Sequence, residues 1–513
     1  MILALYDVSG IQDYIFQSNR MRENIGASAI VGKVLKELLP DILRNLGKEA
    51  SVPERMNSKE FTFANDPTVS IEIIYNGGGN AMVAFRHMDD FHQVNEKLAL
   101  KLLHVSYSLH LAIAAIESDG ENFVADKRSL DWRLTEVKAR MQRPRPVGAF
   151  PFSEQEARSG LPITDFDSHT RQNVSTLQMR KLAQGHEEAE AVVSLPGTDR
   201  FTKWALEMEH LVRAREEDSY VAVVHIDGNG MGAQIRNIMV EWEKENYSYS
   251  RAVAAMRTLS ESITRRFSAV FENTIKDLMD RISPDHWLNG RKQLPVRPLI
   301  MEGDDLTFVC AGEWGLPLAA ELLRRLELSG TGHADVVSMS ACAGVAFVHS
   351  HFPFNIAYEV SEGCCQNAKQ ARLRAGEERA SYIDFEVLRG SLPEEMPGER
   401  RRKPYRVGAG KQEERREFAL LESYMRNLSR TNWPRWRLEK LYAALKGKPE
   451  LLSLYVEECR SRGYELRSLG LESEGEIEDS PLLDALELIG MFEVDLFQSG
   501  RRGDAHDGGM VGN

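Results

Sequence analysis

A repeat of whole domains constrains this chain more than any other feature. An apolar run at residues 2–7 meets Ser9-Gly10. A second, at 220–227, lies 220 positions on and meets Gly228-Asn229-Gly230-Met231-Gly232. The first predicts a strand followed by a helix over 25–46, with Ile30, Val34, Leu38, Leu39 and Leu43 at helical spacing and Pro40 kinking or breaking it. Strands at 69–75 and 81–85 then flank Asn76-Gly77-Gly78-Gly79-Asn80, a Gly/Asn-rich hairpin turn. A helix over 90–103 and a strand over 108–116 close the unit. The second unit reads in the same order: a long helical region over 250–281, strands at 296–301 and 306–310 around Glu302-Gly303-Asp304-Asp305, a helix over 316–328 and a strand over 338–348. The hairpins align without a gap, and Asp7 falls over Asp227. From Asp7 to Gly79 is 72 positions, and from Asp227 to Asp304 it is 77. The order β-α-β-β-α-β is the ferredoxin-like one.

The expected fold class is therefore α+β. Two ferredoxin-like (βαββαβ) domains occupy residues 1–116 and 216–390, joined by a helical linker module at 117–215. An all-helical C-terminal domain follows at 391–498, with Trp433 and Trp436 as core anchors, and 499–513 is a Gly-rich disordered tail.

Composition excludes several function classes. The 513 residues are 42% hydrophobic and 27% charged, enough to bury a core and too apolar for a disordered chain. Asp plus Glu is 77 against 64 for Lys plus Arg, a net charge of −13, so nucleic acid is contacted only through a local patch. Arg400-Arg401-Arg402-Lys403 with Arg406 and Lys411 is the best such patch, but Glu399, Glu413 and Glu414 interleave it and favour a solvated linker. Five cysteines without a CxxC pair exclude a disulfide framework and a four-cysteine zinc site, and point to a reducing cytoplasm. No signal peptide precedes Asp7, and no apolar run approaches a membrane span.

Three carboxylates carry the chemistry. Nucleotidyl transfer needs hard oxygen ligands converging on divalent cations, one acidifying the attacking hydroxyl and the other neutralising the leaving phosphate. Asp227 at a strand end and Asp304-Asp305 at a neighbouring hairpin tip meet this need for two Mg²⁺ or Mn²⁺ ions. The backbone carbonyl of Ile226 is a further ligand. One hairpin aspartate faces Asp227 and the other reaches from the turn, because successive strand residues point to opposite faces. Gly228, Gly230 and Gly232, with Asn229 and Met231 between them, let backbone N–H groups close on a phosphate ahead of the next helix. Lys369, on the helix after the last strand of the unit, reaches the β- and γ-phosphates. The first domain has Gly78-Gly79-Asn80 where the second has Gly303-Asp304-Asp305. Its lone Asp7 binds metal poorly, so it holds a second nucleotide without reacting it, and Gly77–Gly79 let that nucleotide approach the backbone.

Asp7-Val8-Ser9-Gly10-Ile11-Gln12-Asp13-Tyr14-Ile15-Phe16 and Gly77-Gly78-Gly79-Asn80 resemble the first palm of the large subunit of type III CRISPR effector complexes. Asp227–Gly232, Gly303–Asp305, Ser340–Ala346, Ala368-Lys369 and Tyr382–Phe385 resemble its second, GGDD-bearing palm. Lys403-Pro404-Tyr405 and the helices beyond resemble its C-terminal domain. The resemblance implies an oligoadenylate cyclase. A 3′-hydroxyl of one ATP attacks the α-phosphate of another until a cyclic oligoadenylate closes, a second messenger of antiviral defence. It implies Asp227, Asp304 and Asp305 at the metals, Gly303 and Lys369 at the triphosphate, and Ser9, Gly78, Gly79 and Asn80 facing the acceptor nucleotide. Guide-RNA effector subunits, an activating RNA, or a second copy of the chain are the implied partners, and no membrane. Four departures stand out. Glu302 replaces the first Gly of GGDD and either crowds the triphosphate or adds a carboxylate. No nuclease domain is expected before the first palm. Residues 152–162 keep the frame of a zinc knuckle without its cysteines, so no zinc is expected. The chain is also shorter than a typical member. The alternatives are a stand-alone cyclic dinucleotide synthase, a diguanylate cyclase, which shares GGDD palms but works as a homodimer of one palm, and a non-catalytic effector scaffold.

Overall fold

The computed structural model describes residues 1–46, 50–51, 61–142, 150–157, 159–190, 203–212, 220–281, 293–329, 339–390, 403–408, 417–471 and 473–497. Arg400, Arg401, Arg402, Lys411, Glu399, Glu413, Glu414 and the expected tail at 499–513 lie outside the described residues, as does Arg158 of the knuckle-like stretch.

The first palm is built on β1 (Ile2–Ser9), α1 (Met21–Lys33), β2 (Ile71–Gly77), β3 (Asn80–Phe85), α2 (Met88–Ser106) and β4 (His110–Glu117). Its sheet runs, from one edge, Ala50–Ser51, β2, β3, β1, β4, with β1 antiparallel to both β3 and β4. Every residue of β1 is buried, which explains its unbroken apolar run: a strand covered on both faces has no polar side to alternate with. The helical stretch is interrupted just before Pro40, in keeping with the expected kink or break. A π-helical turn at Val34–Leu38 intervenes, and a new segment, Leu39–Arg44, takes the proline into its first turn, where a missing N–H costs nothing. Beyond β4, α3 (Phe123–Arg140) packs on β4 and β1, and α4 (Thr176–Glu190) crosses α1.

The second palm follows the same path: β5 (Tyr220–Gly228), α5 (Met231–Lys244), α6 (Tyr249–Arg281), the hairpin β6 (Val296–Glu302) and β7 (Asp305–Ala311), α7 (Gly315–Ser329), β8 (Ala341–His349), α8 (Phe354–Arg374) and β9 (Ser381–Val387). The expected long helical region over 250–281 is the single helix α6, and a further helix, α5, precedes it. The two are separated near Asn246, whose φ of 50° is a left-handed conformation that asparagine tolerates at helix ends. A sixth strand, β10 (Tyr405–Val407), joins the edge, so the sheet order is β6-β7-β5-β8-β9-β10. This corrects the reading of that stretch as solvated linker. Lys403 is buried and donates to the Phe385 carbonyl at 2.9 Å, and Arg406 pairs with Glu377 at 2.7 Å. These two basic residues are engaged within the fold.

The C-terminal part is helical, with α9 (Phe418–Arg430), α10 (Arg435–Leu445) and α11 (Pro449–Ser461). Trp433 is buried, but Trp436 is 48% exposed and anchors no core. On α10, Leu438 and Leu441 take the inward face and leave Trp436 on the other, where Arg437 and Lys440 cover its ring. Among the described residues no helix is long and apolar enough to cross a membrane.

Several contacts join the palms. The Arg257 guanidinium, on α6, is buried against Glu72 at 2.6 Å and donates to the carbonyls of Ile73 and Ile74 on β2. Phe16, at the end of the SGIQDYIF motif, stacks on Tyr358 of α8 with ring centroids 3.9 Å apart. The two hairpin tips meet: a Cβ on Gly303 would lie 3.2 Å from the Gly78 Cα.

Candidate active site

The register of the second sheet places the carboxylates. Asp227, next to last in β5, lies directly across from Asp305, the first residue of β7. Directly opposed residues on an antiparallel pair present their side chains on one face. Glu302 and Asp305 close the hairpin, so Gly303 and Asp304 form a two-residue turn, with Gly303 at φ 62°. Asp304 therefore reaches from the turn while Asp305 faces Asp227. The turn folds back over the strand end. The Gly228 N–H donates to the Asp304 carbonyl at 3.2 Å, and a Cβ on Gly228 would sit 2.7 Å from Asp304 Oδ2. Glycine after Asp227 is what makes room for the Asp304 carboxylate.

A negative charge on Asp227 disfavours further charge on Asp304 and Asp305 beside it. Burial, and then the Asp227 charge, pushes the Asp304 carboxyl up to about 6. Burial followed by Asp227 and Asp304 pushes Asp305 well above the ordinary carboxylate range. Lys369, from α8, donates to Asp227 Oδ2. Burial alone would lower its ammonium, and the Asp227 charge and hydrogen bond outweigh that and raise it. The lysine thus meets the Asp227 carboxylate.

The donor types suit Mg²⁺ or Mn²⁺, and Asp305 Oδ1 is buried without a hydrogen-bond partner, as an oxygen awaiting a cation would be. Lys369 already supplies one positive charge to the cluster. Among the described residues no three acidic, histidine or cysteine side chains are gathered tightly enough to hold a metal ion. Ile226, the fourth expected ligand, is flanked by Leu306 and Ala343 on paired strands, with its side chain buried.

The glycine-rich turn divides in two. Gly230, at φ 63°, turns the chain from β5 into α5, and Gly232 is exposed in the first turn of that 14-residue helix. These two leave backbone N–H groups open to a phosphate. The side chains of Asn229 and Met231 are buried, and the Asn229 N–H donates to the Ser340 carbonyl at 2.9 Å. The Asn229 side-chain amide donates to Ser340 Oγ and the Ala380 carbonyl, and Met231 is in the core.

A cavity of about 370 Å³ opens between the palms, walled by residues 7–13, Gly78 and Lys138 on one side and Ile300, Glu302, Asp304 and Asp305 on the other. Ser9 and Gly78 thus share a space with the hairpin acids. Gly79 and Asn80 do not line it. The Gly79 carbonyl accepts from the Val8 N–H at 3.0 Å, and the Asn80 amide donates to the Gly78 carbonyl at 2.9 Å. Both stabilise the turn that presents Gly78. Ser9 itself donates to Asp7 Oδ2 at 2.9 Å.

Several residues near the acids escape the sequence reading. His225, two before Asp227 and so on the same strand face, contacts Thr307 at 3.0 Å and Asp305 at 3.5 Å, and burial pushes its imidazole down to about 4. Glu362 lies two helical turns before Lys369, and burial, then Asp227 and Asp13, raises its carboxyl. Lys36 and Lys138, which pair with Glu302 and Asp7, come from the first palm and the helix after it. The period of two along β5 and of seven along α8 signals His225 and Glu362. No local pattern signals Lys36.

Residues 220–376 match the family model of the second palm domain of Cas10/Cmr2. No curated protein sequence matches the chain. Among solved structures, Csm1 of T. onnurineus is similar at a TM-score of 0.53 and 15% identity, over 96% of this chain and 69% of that one. Csm1–Csm4 cassettes in complex with cA4 and with AMPPNP are similar at TM-scores of 0.50 and 0.51, with the same identity and coverage. At that identity the likeness concerns the fold.

Proposed function

We propose that this chain, whose residues 220–376 are a second palm domain of the Cas10/Cmr2 family, is a metal-dependent nucleotidyltransferase that joins ATP in the cleft between its palms. Asp304 and Asp305 reach the wall of that cleft across from Ser9 and Gly78, and this placement carries the proposal. The 3′-oxygen of a nucleotide on the first palm attacks the α-phosphorus of one at the Glu302–Asp305 hairpin. A P–O bond forms, pyrophosphate leaves with the broken bond's electrons, and the hydroxyl proton passes to solvent. Repetition and ring closure give a cyclic oligoadenylate, the second messenger of a CRISPR-type defence. The Csm1–Csm4 structures holding cA4 and AMPPNP support this reading.

Two bound Mg²⁺ or Mn²⁺ ions would acidify the attacking hydroxyl and neutralise the leaving phosphate. Asp227, Asp304, Asp305 and the Ile226 carbonyl would hold them. Lys369 exchanges Asp227 for a phosphate, and the Gly228, Gly230, Gly232 and Gly303 backbone lets the triphosphate approach closely. Ser9 and Gly78, braced by Gly79 and Asn80, face the acceptor. Effector subunits of the Csm4 kind and guide RNA are the proposed partners, in the cytoplasm.

Purified protein, incubated with ATP or GTP and Mg²⁺ or Mn²⁺ with and without candidate RNA activators, is to be assayed for products by mass spectrometry. Adenylate products are expected, and Asp304→Ala with Asp305→Ala should abolish them, because positioning and charge stabilisation carry nearly all of such catalysis. A folded chain that makes no product under any of these conditions overturns the enzyme reading and favours the scaffold. Undiminished turnover in the double variant moves the active site elsewhere.

A further inference from the structure

The two palms share more than their hairpins. In the second, Asp227 at the end of the central strand is met by Lys369, the sixteenth residue of α8. In the first, Asp7 at the end of the central strand is met by Lys138, the sixteenth residue of α3, with Nζ 2.7 Å from Asp7 Oδ2. The registers correspond: Asp227 lies across from Asp305 and Cys342, and Asp7 across from Asn80 and Ala112. Both helices follow the last β-strand of their unit and pack on that strand and on the central one. The acid–lysine pair is therefore an element of the repeat, kept in the first palm although its hairpin carries no carboxylate.

Charge in the cleft gives this pair a use. Asp7, Asp13, Glu302, Asp304 and Asp305 are the acids lining the cavity, and among the described lining residues Lys138 is the one base. A nucleoside triphosphate entering on the first-palm side meets several negative charges, and the Gly77–Asn80 hairpin offers no carboxylate beside Asp7 with which to bring a divalent cation. An ammonium has three donors, of which Asp7 engages one, and the Lys138 side chain is 39% exposed.

We propose that Lys138 is a phosphate-binding residue for the nucleotide held by the first palm, standing in for the metal that this palm cannot hold, with Asp7 and Ser9 orienting it. This rests on the reading of the cleft as a nucleotide site.

The test is binding of a non-hydrolysable ATP analogue by calorimetry, in the presence of Mg²⁺, together with ATP turnover. The wild-type chain should bind two equivalents. Lys138→Ala should weaken one of them at least tenfold and raise KM more than it lowers kcat, and Lys138→Arg should restore most of the affinity. Asp7→Asn with Lys138→Ala removes both charges, which keeps the test valid if the single variant folds poorly. If Lys138 only neutralises Asp7, that double variant binds like wild type, and the proposal is overturned. Two wild-type equivalents in Lys138→Ala, with turnover intact, overturn it too while leaving the nucleotidyltransferase standing. A wild-type chain that binds no nucleotide overturns both.

Discussion

Lys36 Nζ lies 2.8 Å from Glu302 Oε1, an ion pair made across the boundary between the two palms. Glu302 stands where a GGDD hairpin has its first glycine, and the contact accounts for its side chain. Its carboxylate is turned to a first-palm lysine and is not pooled with Asp227, Asp304 and Asp305.

Glu302→Ala should therefore retain most nucleotidyl transfer. Lys36 is 45% exposed, so the pair contributes at most about 1 kcal/mol to stability. A double-mutant cycle with Lys36→Ala, read by urea denaturation, measures that coupling. Loss of turnover in Glu302→Ala as complete as in Asp305→Ala would instead make Glu302 a metal ligand.

Gly303→Ala should be far more damaging than its size suggests. It puts a Cβ 3.2 Å from the Gly78 Cα and strains a residue at φ 62°. A left-handed alanine costs about 1 kcal/mol or more, and the hairpin tips must part as well. Turnover should fall at least tenfold. Gly78→Ala, whose Cβ would have 3.9 Å to the Gly303 Cα, should be milder. Equal effects would mean that the contact between the tips is unimportant.

Asp304→Asn should abolish turnover and stabilise the metal-free chain. The folded carboxyl sits at about 6, above its unfolded value, so below both values the acid is protonated in either state and costs nothing. As pH rises from about 4 to about 6 the unfolded state ionises first, and stability is lost. In EDTA the variant should be more stable than wild type by about 3 kcal/mol at pH 7.5, with the gain shrinking towards pH 4.5. A gain that does not change with pH would refute the assignment to this carboxyl.

Glu72→Gln should cost about 3–5 kcal/mol, because it leaves the buried Arg257 charge without its carboxylate. Arg257 and Glu72 are 5% and 1% exposed and join α6 to the first sheet. Thermal unfolding should show the loss, and turnover should disappear together with the palm–palm contact. A variant as stable as wild type would show that the pair is dispensable.

Much of this protein is legible in its sequence because much of it is periodic. The apolar runs at 2–7 and 220–227 specify central strands buried on both faces, and glycine and asparagine turns specify two hairpins. The repeat of both then dictates two sheets of like topology. The same pattern brings Asp227 and the hairpin aspartates to neighbouring strand ends, and the β5–β7 register then makes Asp305 the one opposite Asp227. Where the reading fails, a contact with another element decides. Trp436 looks like a core residue until Leu438 and Leu441 take the inward face of α10. Lys403 looks solvated until β10 carries it beneath Phe385.

The sequence by itself determined the repeat, the strand-end acids and the asymmetry between a hairpin with carboxylates and one without. Local periodicity and turn chemistry suffice for these. Only the tertiary structure decided that the two hairpins touch, that Glu302 pairs with Lys36, that Lys369 is bound to Asp227, and that Asp7 has its own lysine in Lys138. Each of these joins residues far apart in the chain, and the palms pack so closely that few partners are open to each side chain.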